Sequence, residues 1–368
     1  MLRTFTTHSR LINELFANYL NTFFAFCELI NNSLQANAKN IWIDIDYTSN
    51  DEALQPLVIK KMVIRDDGDG VYVDDINEKL LNIGTNNKEG GKGIGRFAAF
   101  QLGQTIEIET VGKSQAKNKS SKTIIPLNYK SFGKNINVSE VQVTTKEEIF
   151  DGILKTYYQV TIMDFYDDSI TDSSPKKKIV DKLLKENLAA ALFERYSLKI
   201  YNRDVKFYVN NHLIDPTDYI IGSPSIEDVS YIDKAGKNHV ISFRYINLKH
   251  VENRKVFLTT TNAGIQTIAS GFEFDAEWLS PKIGGWFIYI NSDTLGSDLY
   301  RNISLDDMDE NFKHYKAFLK NQLAHFFREK NKEFDNFLDK LKQDDYYPYK
   351  DKQSSSKSKI MLFDKLAF

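Results

Sequence analysis

The chain has 368 residues, 42% of them hydrophobic and 27% charged, enough for sizeable cores and more than one domain. Lys+Arg is 48 and Asp+Glu is 50, a formal charge of −2, which argues against an extended nucleic-acid-coating surface and leaves only a local basic patch open. The single cysteine, Cys27, excludes an intramolecular disulfide and a multi-cysteine metal cage. Met1-Leu2-Arg3-Thr4 does not open a signal peptide, and no run reaches the ~20 apolar residues that span a bilayer, so the sequence reads as soluble and cytoplasmic, without a membrane partner.

In chain order, Leu11, Leu15, Tyr19, Phe23, Phe26 and Ile30 recur at helical spacing and predict a long helix over 9–36. Ile41–Tyr47 alternates as a half-buried strand does, and Val58–Arg65 reads as a second strand. A short helix is expected over Asp74–Leu81, a glycine-rich stretch over Gly84–Gly95, and an apolar helix over Arg96–Leu102. Further strands are expected at Thr105–Val111, Ile124–Tyr129, Val138–Thr144 and Tyr157–Phe165, with Lys113–Lys122 as a hairpin loop and a helix over Lys177–Phe193. Val205–Val209, Val240–Tyr245, Val256–Thr260 and Trp286–Ile290 are strand-like, and a charged helix is expected over 306–341. Strands grouped beside helices predict an α+β sandwich. The expected domains are 1–200, 201–300, a helical extension over 301–342 and a flexible tail over 343–368.

Three short motifs carry chemistry. Glu28 and Asn32 in Glu28-Leu29-Ile30-Asn31-Asn32 are i,i+4 neighbours on one helix face, where a carboxamide can coordinate Mg²⁺ and a carboxylate can orient water. Asp66-Asp67-Gly68-Asp69-Gly70 follows a strand directly, so Asp66 can accept from an adenine amino group while Gly68 and Gly70 let backbone approach a flat base. A calcium-loop reading fails: counted from Asp66 the twelfth residue is Asn77 rather than Glu, and counted from Asp67 the sixth is Tyr72 rather than glycine. Gly90-Gly91-Lys92-Gly93-Ile94-Gly95-Arg96 enters a helix, and its backbone N–H groups can cradle phosphate. Gly93-Ile94-Gly95-Arg96-Phe97-Ala98 also fits G-x-G-x-x-A, with Glu109 spaced as a ribose contact. A dinucleotide reading nevertheless needs a hydrophobic strand before Gly93, where Asn86-Asn87-Lys88-Glu89 stands. A Walker A loop fails too: Gly91-Lys92 is followed by Gly93 rather than by Ser or Thr, and Gly112-Lys113-Ser114 has Glu107 where the pattern needs its first glycine.

In this order and spacing the three motifs resemble the GHKL (Bergerat-fold) ATPase superfamily, which takes in MutL, MORC and gyrase B ATPases, sensor histidine kinases and the ninety-kilodalton heat-shock chaperone. The resemblance covers about residues 10–165. It implies a Bergerat α/β sandwich that binds ATP with Mg²⁺. Glu28 would be the general base, Asn32 the Mg²⁺ ligand, and Asp66 the adenine-reading carboxylate beside Gly68 and Gly70. Gly91, Gly93 and Gly95, with Lys92 and Ile94 between them, would hold phosphates under a lid over Asn82–Lys92, with Thr85 and Lys88 as further contacts. Thr156 corresponds to an adenine contact, although Lys155 stands where the family has glycine, and Gln35 replaces a common aspartate. The later strands resemble the S5-like transducer domain, with Lys282 as a counterpart of its phosphate-reaching lysine. The implied function is slow ATP hydrolysis, with lid closure and homodimerisation driving a protein partner or effector in a DNA transaction, in defence or as a chaperone-like clamp. The alternatives are a non-hydrolysing nucleotide-gated module and a histidine-kinase-like phosphotransferase, the latter lacking a histidine-bearing helix ahead of the motifs, where His8 is the only histidine.

Overall fold

The computed structural model describes residues 1–4, 6–7, 19–47, 58–83, 95–132, 141–166, 177–249, 254–262, 265–273, 281–282, 284–291, 310–344, 347–349 and 360. They fall into two compact units, one within Met1–Pro216 and one from Thr217 onward, Asn262–Ile265 aside. None of the described helices is long and apolar enough to cross a membrane.

In the first unit eight strands form one sheet: β1 (Asn40–Tyr47), β2 (Ile59–Asp66), β3 (Gly103–Ser114), β4 (Lys119–Asn128), β5 (Lys146–Asp151), β6 (Tyr157–Phe165), β7 (Lys206–Val209) and β8 (His212–Leu213). Their order is β8-β7-β1-β2-β6-β3-β4-β5, antiparallel except where β7 runs parallel to β1. Ile41, Ile43 and Ile45 bury one face of β1 while Asp44 and Asp46 face solvent, which is the period-two pattern of a one-sided sheet. Leu2–Thr4 pairs separately with Gln142–Thr144, and Thr6–Thr7 with Asn82–Ile83.

Helix α1 spans Thr22–Gln35, shorter than its apolar spacing suggests. Asn21 stops it: the backbone there is extended, and Oδ1 accepts from Phe23 N at 3.0 Å and Phe24 N at 3.2 Å. The expected helical residues 9–18 lie outside the described residues. Helix α2 spans Lys185–Tyr201 rather than Lys177–Phe193. Thr22 Oγ1 donates to Lys178 O, a carbonyl that an earlier helix start would need, and Val180 and Leu184 are extended. Val73–Asp75 is a 3₁₀ turn and Asn77–Leu81 a π turn where one short helix was expected, and Gly95–Gln101 is 3₁₀. The hairpin expected over Lys113–Lys122 is present and tighter than expected, its flanks extending β3 to Ser114 and opening β4 at Lys119.

Sequence places a boundary at 200/201, but β7 and β8 continue the first sheet to Leu213. The second unit holds a five-stranded sheet of β9 (Ser225–Ile232), β10 (Asn238–Leu248), β11 (Arg254–Asn262), β12 (Ile265–Glu273) and β13 (Gly285–Asn291), in the order β9-β10-β13-β11-β12. Helix α3 (Glu310–Gln343) covers one face through Tyr315, Leu319, Leu323, Phe326 and Phe327. Tyr347, within the expected flexible tail, is buried, and its N–H donates to Asp344 O.

Candidate functional site

Helix α1 turns Phe23, Phe26, Cys27 and Ile30 into the core, which leaves Glu28 and Asn32 half-buried on its flank. Burial raises the Glu28 pKa above the ordinary glutamate value, opposed by the positive field of Arg195 and a hydrogen bond from Asn31. Asn31 Nδ2 lies 3.4 Å from Glu28 Oε1. Among the described residues, none makes a hydrogen bond with the Asn32 carboxamide.

The acidic loop is fastened to the C-terminal end of α1. Asp66, 1% exposed at the end of β2, accepts at Oδ2 from Ser33 Oγ (2.6 Å) and at Oδ1 from Gly68 N (2.9 Å). Burial raises its pKa, those two bonds oppose the rise, and the charges of Asp67 and Asp69 add to it. Asp67 does a different job. Its Oδ1 accepts from the backbone N–H groups of Lys39 and Asn40, both at 2.8 Å, and its Oδ2 from Asn40 Nδ2 at 2.6 Å. Partial burial works against ionisation there, but these donors win and hold its pKa below the usual value. Asp69 Oδ2 accepts from Asn37 Nδ2, and Asp69 N donates to Ala36 O.

Both glycines of this loop have packing reasons to be glycine. A Cβ on Gly68 would stand 2.5 Å from Ala36 O. Gly70 has φ +62°, and a Cβ there would stand 2.0 Å from Val111 O. Thr156 Oγ1 donates to Gly68 O at 2.7 Å, so this hydroxyl is tied to the loop that carries Asp66. The loop is also held by Thr110, whose hydroxyl accepts from Val71 N and donates to Tyr157 O.

The structure therefore gathers Asp66, Gly68, Gly70 and Thr156 beside the helix that bears Glu28 and Asn32. Gly95 opens the 3₁₀ helix Gly95–Gln101, whose Phe97, Ala98, Ala99 and Phe100 are buried. Thr85, Lys88, Gly91, Lys92, Gly93 and Ile94 lie outside the described residues. Glu109 is taken up by Tyr157 and Lys122 on the sheet. Lys282 Nζ sits 2.6 Å from Asp335 in the second unit, with its backbone N–H on Asn331 Oδ1. Sequence reasoning missed Ser33, Asn31, Thr110 and Tyr196. Ser33 follows the Asn of the first motif and could have been tested as a partner for a buried carboxylate, whereas no local signal marks Tyr196.

Residues 20–156 match the family described as histidine kinase-, DNA gyrase B-, and HSP90-like ATPases. They form a GHKL-type ATPase domain. The chain is similar to the DNA mismatch repair protein MutL of Clostridium beijerinckii, 26% identical over 249 residues, covering 63% of this chain and 34% of that protein. MutL of Clostridium perfringens strain 13 is 24% identical over 271 residues, covering 64% and 36%. The chain thus spans about a third of the length of these relatives. Among solved structures, the N-terminal domain of a DNA repair protein aligns with TM-score 0.48 and 13% identity, over 87% of this chain and 98% of that one. The ATPase region of Saccharomyces cerevisiae topoisomerase II aligns with TM-score 0.39 and 12% identity, over 73% and 72%.

Proposed function

We propose that the GHKL domain binds ATP with Mg²⁺ and hydrolyses it to ADP and phosphate. The observation that carries this reading is Asp66. A carboxylate with 1% exposure is fixed by two donors, one on each oxygen, and a carboxylate has about four acceptor sites. It keeps capacity for one more donor, and an adenine amino group supplies one, while guanine presents a carbonyl at that position. Ser33, which fixes Asp66, follows Asn32 on the same helix and lies five residues from Glu28.

Glu28 is the general base in this reading. Burial lifts its proton affinity toward the working range of a base, while Arg195 and Asn31 favour the ionised form that accepts a proton from water. Asn32 would hold Mg²⁺ through its carboxamide oxygen. The donor fits that ion: a carboxamide oxygen is a hard ligand of the kind Mg²⁺ takes, and Mg²⁺ commonly completes its shell with waters and substrate phosphates. When bound, the ion supplies charge neutralisation on the phosphate oxygens. Gly91, Gly93 and Gly95, with Thr85, Lys88, Lys92 and Ile94, are the proposed phosphate contacts, and Thr156 steadies the adenine-side loop through Gly68. A cytoplasmic setting, ATP-dependent pairing of two protomers and coupling to a protein effector complete the proposal. Sedimentation with a non-hydrolysable ATP analogue and with ADP tests the pairing, and equal masses in both refute it.

Calorimetric titration tests the nucleotide assignment. ATP is expected to bind and GTP to be rejected. Asp66→Asn should weaken ATP by about 1–3 kcal/mol, the cost of a mismatched buried polar pair. Equal affinities of the wild type for ATP and GTP would overturn the role of Asp66.

A further inference from the structure

Helix α2 is broken at Tyr196, where φ is −124° and ψ is 22° inside an otherwise helical run. In a straight helix consecutive side chains diverge by about 100°. Here Arg195 and Tyr196 both address α1: the Arg195 guanidinium lies 5.3 Å from the Phe24 ring centre, and Tyr196 reaches Cys27 and Asn31. Tyr196 is 4% exposed and stacks on Phe207 with ring centres 5.4 Å apart. Its hydroxyl lies 3.0 Å from Asn31 Oδ1 and 3.2 Å from Cys27 O.

We propose that Tyr196 and Asn31 are positioning residues that hold the Glu28 carboxylate. The proposal rests on the reading of Glu28 as the base. The single phenol proton lies between two carbonyl acceptors, of which Asn31 Oδ1 at 3.0 Å is nearer than Cys27 O at 3.2 Å, and the Asn31 amide N–H donates to Glu28 Oε1. A carboxamide has one donor end and one acceptor end. By occupying the acceptor end, the Tyr196 hydroxyl leaves the NH₂ end facing Glu28, which suits an ionised carboxylate. Without the hydroxyl, Asn31 is free to turn its carbonyl toward that carboxylate, where the two repel. The other groups whose fields reach Glu28 are Arg195 from α2, which favours its charge, and Cys27 and Tyr196, which are buried and neutral; the Glu28 charge adds to burial in raising the pKa of Tyr19, ahead of α1.

The test uses the full chain. Tyr196→Phe removes one oxygen and keeps the ring on Phe207. Single-turnover hydrolysis at saturating ATP should slow about tenfold, as loss of a supporting hydrogen bond behind a reactive group does. Affinity for a non-hydrolysable ATP analogue should stay within about twofold. The carboxyl ¹³C resonance of Glu28 should shift. Asn31→Asp, which cannot donate, should slow hydrolysis at least as much, and the double variant no further. In a Glu28→Gln background Tyr196→Phe should have no effect on the residual rate. A wild-type rate in Tyr196→Phe, or the same slowing in the Glu28→Gln background, overturns the proposal. Should Tyr196→Phe fail to fold, Asn31→Asp decides by the same comparisons. A wild-type protein that does not hydrolyse ATP refutes the proposed function, and the Glu28 resonance then still decides the positioning: an unmoved signal in Tyr196→Phe overturns it.

Discussion

Around α1 the buried side chains include the Asp66 carboxylate, the Asn31 carboxamide and the hydroxyls of Ser33, Thr110 and Thr156. Between the second sheet and α3 the buried set is Tyr231, Phe243, Tyr245, Trp286, Tyr315, Phe326 and Phe327 with aliphatic neighbours. Among the described residues of the second unit only His239, Thr259 and Asn331 are buried and polar. Burying polar groups costs stability unless they are paired, and around α1 they are: Asp66 with Ser33 and Gly68, Asn31 with Tyr196, Thr110 with Val71 and Tyr157, and Thr156 with Gly68. That contrast separates a candidate site, rich in paired polar groups, from a packed apolar core by side chains alone. It also says where a substitution should cost chemistry and where it should cost folding.

The largest effect is expected at Glu28. Glu28→Ala should lower single-turnover hydrolysis by about 10²–10⁴-fold with nucleotide affinity retained, because a base aligns and deprotonates water while adding little to ground-state binding. A variant that turns over at the wild-type rate removes Glu28 from the mechanism and blurs the contrast. In the second unit, Phe327 is fully buried, with its ring edge-on to Trp286 and Tyr245. Phe327→Ala should destabilise that unit by about 3–5 kcal/mol through transfer and cavity terms, read by denaturant unfolding. A loss below about 1 kcal/mol would mean that this core relaxes freely, unlike a close-packed interior.

The smallest effect has the opposite sign. Because burial raises the folded-state pKa of Glu28, the native state holds that proton more tightly than the unfolded chain. Stability from this group is therefore present below the unfolded glutamate pKa and is lost as pH rises through the folded value. Glu28→Gln should raise Tm at neutral pH and flatten the stability curve across that window. Thermal unfolding from about pH 3 to about pH 8, an interval that begins below the ordinary carboxylate value of about 4.3 and runs well above it, checks this. A lower Tm for Glu28→Gln at every pH would show that Arg195 and Asn31 outweigh the cost of burial.

Much of this was legible in the sequence where one short segment held the whole signal. Ile41, Ile43 and Ile45 alternate and do form one buried strand face. Asp66 at the end of a strand was readable as a special carboxylate, although its partner Ser33 was not named. The start of α1 was misjudged because apolar spacing runs through Tyr19, while the competing signal, Asn21 as a cap, depends on a backbone turn that periodicity does not report. The domain boundary was misplaced because β7 looks like any short apolar strand. Only its register beside β1, with Phe207 opposite Ile41, assigns it to the first sheet. Tyr196 was invisible for a related reason: it acts on Asn31 across 165 residues, and nothing near either residue encodes that contact.

Cys27 carries one more consequence. The only thiol in the chain is 1% exposed on α1, and burial pushes its pKa up to about 11. A sulfur so placed is both covered and protonated, so a thiol reagent reaches it only during the intervals when α1 lifts from its neighbours. The protein therefore contains its own clock for those openings, set on the helix that carries Glu28 and one residue before it. Each modified molecule records a moment when the proposed catalytic helix had left its seat.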